Sequence, residues 1–128
     1  MFSRIAFLLV LATTAFAADK VSPLGTWEGE SLCTVPDSPC HNEHVVYEIK
    51  ADPKTQGNIT IDAFKIVNGE KLFMGALNCS WSESESVLSC HYRADDDWSF
   101  KITGNEMKGT LHVKKERQLY RKISVTKK

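Results

Sequence analysis

The sequence has no window with a helical hydrophobic period, and beyond residue 17 it has no apolar run long enough for a membrane-spanning helix. No serine, cysteine or histidine sits in a nucleophile motif, and no glycine-rich loop resembles a phosphate cradle. These gaps argue against helical bundles, nucleotide-binding α/β folds and triad-type hydrolases. Net charge is also missing, since 16 Lys/Arg balance 16 Asp/Glu. The balance is uneven, however. Residues 107–128 carry eight bases against Glu116 alone, while the acids gather before them. On an exported chain this basic end reads as the solvated face of a hairpin whose lysines guard strand edges, with no nucleic-acid partner.

Export is read from the first 17 residues. Arg4 is their only charge, Ile5 to Ala12 is apolar, and Ala15-Phe16-Ala17 gives a small-x-small cleavage pattern. The expectation is a signal peptide over 1–17 and one domain over 18–128, secreted or periplasmic. No cysteine follows the cleavage pattern, so no lipid anchor to a membrane is expected. The four cysteines of such a chain suggest two disulfides, for which three connectivities exist. The spacings Cys33-x6-Cys40 and Cys79-x10-Cys90 do not resemble a zinc ribbon.

What the sequence does contain is alternation. Val45, Tyr47 and Ile49 alternate with polar neighbours, as do Ile59 and Ile61, Trp98, Phe100 and Ile102, then Met107 to Val113 and Leu119 to Val125. Such period-two patterns mark half-buried strands. The apolar parity changes near Ala63-Phe64, which suggests a bulge. Asn68-Gly69 is the strongest hairpin signal and Gly104-Asn105 a second one, with polar breaks at 82–86, 95–97 and 114–117. Eight strands result, over 24–33, 44–51, 57–66, 70–81, 87–93, 97–103, 106–113 and 118–126. Short successive links favour an all-β, eight-stranded, up-and-down antiparallel barrel; a sandwich of two four-stranded sheets is the alternative. If strands 70–81 and 87–93 pair about Ser84-Glu85, Cys79 faces Cys90, Leu77 faces Tyr92 and Trp81 faces Leu88, all on the core side with Phe73 and Gly75. The expected bridges are therefore Cys79–Cys90 and Cys33–Cys40.

Gly25-Thr26-Trp27 resembles the Gly-x-Trp signature that opens the first strand of lipocalins and their calycin relatives. The resemblance implies a lipocalin-like barrel in which a last-strand arginine packs across the tryptophan and closes one end. Arg121 is the matching residue, by parity with Leu119, Ile123 and Val125, and Gly109 would leave it room. The match covers the first strand and the last hairpin. The family's second, tyrosine-containing motif and its C-terminal helix have no counterpart here.

Several clusters suggest chemistry. His41, Glu43 and His44 are the densest set of potential metal ligands, but the strand that starts at His44 splays the two imidazoles, so no metal site is expected. Asp95-Asp96-Asp97 reads as a solvated turn rather than a calcium loop, and Glu28 and Glu30 as the wet face of the first strand. Asn58-Ile59-Thr60 and Asn78-Cys79-Ser80 match the glycosylation pattern of a eukaryotic secretory route. Trp27, Tyr47, Phe73, Tyr92, Trp98 and Phe100 fall on predicted core faces and are the candidate lining of a site for a small apolar ligand.

The sequence therefore points to a monomeric binding protein without catalytic residues or cofactor. The leading reading is a carrier or sensor of a small apolar molecule. Its competitor is a protein-binding barrel, such as a periplasmic inhibitor of a lysozyme or a protease, presenting the stiff loop Val35-Pro36-Asp37-Ser38-Pro39. An enzyme resting on His41, Glu43 and His44 ranks third. A carrier should have an empty, end-open interior and an inhibitor a filled one.

Overall fold

The structure is a computed structural model that describes residues 10–12, 21–113 and 117–128. The proposed signal segment lies almost wholly outside the described residues, as does most of the polar break at 114–117. Eight strands follow one another: β1 Gly25–Cys33, β2 Glu43–Ala51, β3 Asn58–Val67, β4 Glu70–Ser82, β5 Val87–His91, β6 Asp96–Thr103, β7 Glu106–Val113 and β8 Gln118–Lys127. Each pairs antiparallel with the next, and β1 pairs with β8, so the sheet closes into an up-and-down barrel. Closure removes both sheet edges, which settles the choice between barrel and sandwich.

The links have the chemistry such turns require. Asn68 and Gly69 both take positive φ (51° and 79°), which a two-residue type I′ hairpin demands, and Gly104 (60°) opens the turn between β6 and β7. Cys79 pairs with Cys90 in the β4–β5 ladder and bridges to it, with Cα atoms 4.1 Å apart; Cys33 bridges to Cys40. Both disulfides are as expected, and they are consistent with an oxidising compartment.

Inside, large apolar side chains fill one half of the barrel. Near the end that carries the chain's C-terminus, Trp27, Leu88, Phe100, Met107, Ile102, Ile123 and Val125 are buried. A side chain of this kind contributes about 1.5–3 kcal/mol when taken from water. Phe100 anchors this half, with its ring 5.8 Å from Tyr47 edge-on and 6.3 Å from Trp98 in a stack. Gly109 lies beside it, and a Cβ there would sit 2.4 Å from the Phe100 ring. The glycine thus makes space for Phe100, not for Arg121.

Three expected placements are corrected. The bulge predicted near Ala63-Phe64 exists, with Met74 of β4 as the extra residue: Ala63 pairs with Gly75, but Phe64 with Phe73. The inserted residue flips parity, so Phe73 lies outside the barrel against Phe64, with ring centroids 5.5 Å apart, and is 62% exposed. Tyr92 does not face Leu77, because β5 ends at His91 and Tyr92 enters the following loop. Arg121 does not cover Trp27. In the register, Trp27 is the partner of Lys127, and Arg121 that of Cys33, at the other end of β1. The Lys127 ammonium stands 5.5 Å from the indole centroid, and the Trp27 N–H donates to the Pro23 carbonyl. The arginine closure implied by the resemblance to lipocalins is therefore absent.

Candidate functional site

The other half of the barrel is not filled. At the end carrying the Cys33–Cys40 loop, a cavity of about 190 Å³ opens among the strands. An apolar cavity of roughly 150 Å³ is already enough to hold benzene, so this one has room for a single ring or a short chain. Its floor is made by Tyr47, Leu77, Trp98 and Leu111, which the two-residue strand period turns inward. Ala63 and Gly75 form a wall with almost no side chain, and the bulge residue Met74 lines it too. The space exists because small residues stand where large ones would meet.

The rim is polar. Arg121 points inward from β8, just past a second bulge at Tyr120, where Leu111 pairs with Arg121 but His112 with Leu119. That bulge breaks the parity expected from Leu119 to Arg121. Only 12% of the Arg121 side chain is exposed. Its Nη1 donates to the Ser31 hydroxyl (3.1 Å) and the His41 carbonyl (3.1 Å), tying the guanidinium to β1 and the disulfide loop. Its Nη2 lies 3.6 Å from a Glu43 carboxylate oxygen, beyond hydrogen-bonding distance. The loop is held from below as well, since Thr34 donates its N–H to Tyr120 and its hydroxyl to the Leu119 carbonyl.

Two donors in the cavity wall have no partner among the described residues. The Trp98 indole N–H is buried without an acceptor among the described residues. The Tyr47 hydroxyl makes no hydrogen bond to a described residue, and burial pushes its pKa well above the usual phenol range, with a further rise from Glu43 and an opposing effect of Arg121. Leaving the buried Trp98 donor unpaired costs about 1–3 kcal/mol, and the Tyr47 hydroxyl adds hydrogen-bonding capacity that no described residue uses.

Of the six aromatic residues expected to line a site, Tyr47 and Trp98 form the cavity wall and Tyr92 stands at its rim. The Tyr92 ring lies over Gly75, where a Cβ would come within 3.0 Å of it and where φ is +148°. Trp27 and Phe100 belong to the filled half, and Phe73 is outside. Sequence reading missed Glu43 and Ser31 as rim residues. The signal was present, because Glu43 shares parity with Val45 and Tyr47, and Ser31 with Trp27.

The remaining clusters have structural work. His44 stands on the outer face between Glu28 (3.1 Å) and Glu30 (2.9 Å), which raise its pKa. Asp96 accepts the backbone N–H groups of Tyr92 (3.0 Å) and Arg93 (3.1 Å), and so holds Tyr92's loop in place. Among the described residues no three His, Cys, Asp or Glu side chains gather as a metal site. No helix among them is long and apolar enough to cross a membrane. Compared with known proteins, the chain matches no protein-family model and no curated protein.

Proposed function

We propose that this chain is an exported binding protein that holds a small, largely apolar ligand in the open end of its barrel. One observation carries the reading: large apolar side chains fill the interior around Trp27, Phe100 and Met107, while a cavity of about 190 Å³ lies among Tyr47, Leu77, Trp98 and Leu111 towards the other end. A filled interior was the expectation for an inhibitor, and an end-open cavity that for a carrier. The small residues Ala63 and Gly75 keep the hollow free, while Trp98 and Tyr47 provide flat aromatic walls. The two disulfides suit the export that residues 1–17 suggest.

The test is to fill the cavity. Ala63→Leu adds three carbons to a residue that is 8% exposed and lines the space. In calorimetric or fluorescence titrations, the parent protein should bind small aromatic hydrocarbons such as toluene, and Ala63→Leu should bind them at least about tenfold more weakly, a difference of 1.4 kcal/mol. Equal binding by both proteins would place the ligand elsewhere.

A protein-binding barrel remains the second reading, and one feature favours it. The Cys33–Cys40 loop is bridged, tied to Leu119 and Tyr120, and presents Pro36, Asp37 and Pro39 to solvent. Replacing those three residues by glycine would abolish a loop-mediated interaction and leave toluene binding intact.

A further inference from the structure

We infer that the cavity's ligand is uncharged and carries a carbonyl acceptor beside an N–H donor, as a carboxamide does, on an apolar body the size of one ring. The inference rests on the reading that the cavity binds a ligand, and it comes from counting charges and hydrogen-bonding groups at the rim. Arg121 and Glu43 already sum to zero charge. A carboxylate ligand would leave two anions competing for one guanidinium at a mouth where the Glu43 side chain is only 20% exposed. An ammonium ligand would do the same to Glu43 with two cations. A neutral ligand adds no charge to be buried.

The polar groups then define its head. Nη1 of Arg121 is spent on Ser31 and His41 and Nη2 is ion-paired with Glu43 at 3.6 Å, too long for a hydrogen bond, while Nε makes no hydrogen bond to a described residue. With the unpartnered Tyr47 hydroxyl, these groups ask for an acceptor. The neighbouring Glu43 carboxylate can only accept, and asks for a donor. A planar head with C=O and N–H side by side answers both. A pure hydrocarbon answers neither, and leaves those groups desolvated as the cavity closes over it. The size follows from the roughly 190 Å³ available.

The experiment compares benzamide, benzoate and toluene, three probes of one ring, by NMR titration of the full protein at neutral pH. Benzamide should bind about tenfold or more tightly than benzoate, and more tightly than toluene. Glu43→Gln should shrink the benzamide-to-benzoate ratio about tenfold, since it removes the carboxylate that opposes the anion. In the parent protein, benzoate should bind more tightly as acid converts it to neutral benzoic acid, a result that does not depend on the variant folding. Benzoate binding as well as benzamide at neutral pH overturns the inference, as does a ratio unmoved by Glu43→Gln. Toluene binding as tightly as benzamide also overturns it, and leaves the cavity reading standing. Failure of all three probes to bind overturns both.

Discussion

Single residues divide the molecule into sites that are satisfied and sites that are not. Trp27 and Trp98 make the contrast plain. Both are inward tryptophans, but the Trp27 N–H reaches the Pro23 carbonyl at 2.9 Å, while the Trp98 N–H reaches no described acceptor. Trp27→Phe should therefore cost about 2 kcal/mol or more, through a lost hydrogen bond and a void in the filled half. Trp98→Phe should cost less than about 1 kcal/mol, because it also removes an unpaired donor. Urea unfolding of the two variants measures the difference. On the outer face, His44 gains from Glu30 and Glu28, so its folded pKa is raised above 6.5; Glu28 gains from Lys128 and His44, so its own is lowered below 4.5. The His44 contribution is fully present below 6.5 and fades as pH rises through the raised value. The Glu28 contribution is present above 4.5 and fades as pH falls through the lowered one. The melting temperature of the parent over that of His44→Gln should therefore be greatest between those two values and vanish in mild alkali. All four side chains are substantially exposed, so the effect should be small.

Strands and turns were legible in the sequence wherever the two-residue period ran unbroken. The eight strands, the Asn68-Gly69 turn and the Cys79–Cys90 bridge follow from alternation and turn chemistry alone. What failed were the places where one residue is added to a strand. Parity near Ala63-Phe64 revealed a bulge, yet the extra residue proved to be Met74 on the facing strand, and Phe73 consequently turned outward. At Tyr120 nothing in the pattern announced the bulge, because Leu119 and Arg121 are both plausible inward residues. A period of two cannot tell which strand of a pair carries the insertion. The outward placement has a measurable consequence. Phe73→Ala should cost at most about 1 kcal/mol, the value of one exposed ring contact, whereas Phe100→Ala should cost about 3–5 kcal/mol. Similar losses for the two would return Phe73 to the interior.

At the scale of the whole molecule, the barrel is two devices sharing one sheet. The end near the chain's C-terminus is a packed plug of Trp27, Phe100, Met107 and the aliphatic residues around them. The other end is a cup walled by Tyr47, Leu77, Trp98 and Leu111 and rimmed by Arg121 and Glu43. The cup was only partly readable beforehand. Inward parity picked out Tyr47, Trp98 and Arg121, but whether inward side chains meet across a barrel depends on their sizes at each level, and no strand pattern records that. The resemblance to lipocalins assigned Arg121 to closing an end over Trp27; six residues of β1 register, from Trp27 to Cys33, separate the two places, and the arginine belongs to the mouth. The most direct test of this division is an NMR measurement of intermolecular NOEs between toluene and the methyl groups of the protein. NOEs are expected to Ala63, Leu77 and Leu111 around the cup, and none to Ile102 or Val125 in the plug. NOEs confined to the outer face, as at Leu32, or none at all, would contradict it.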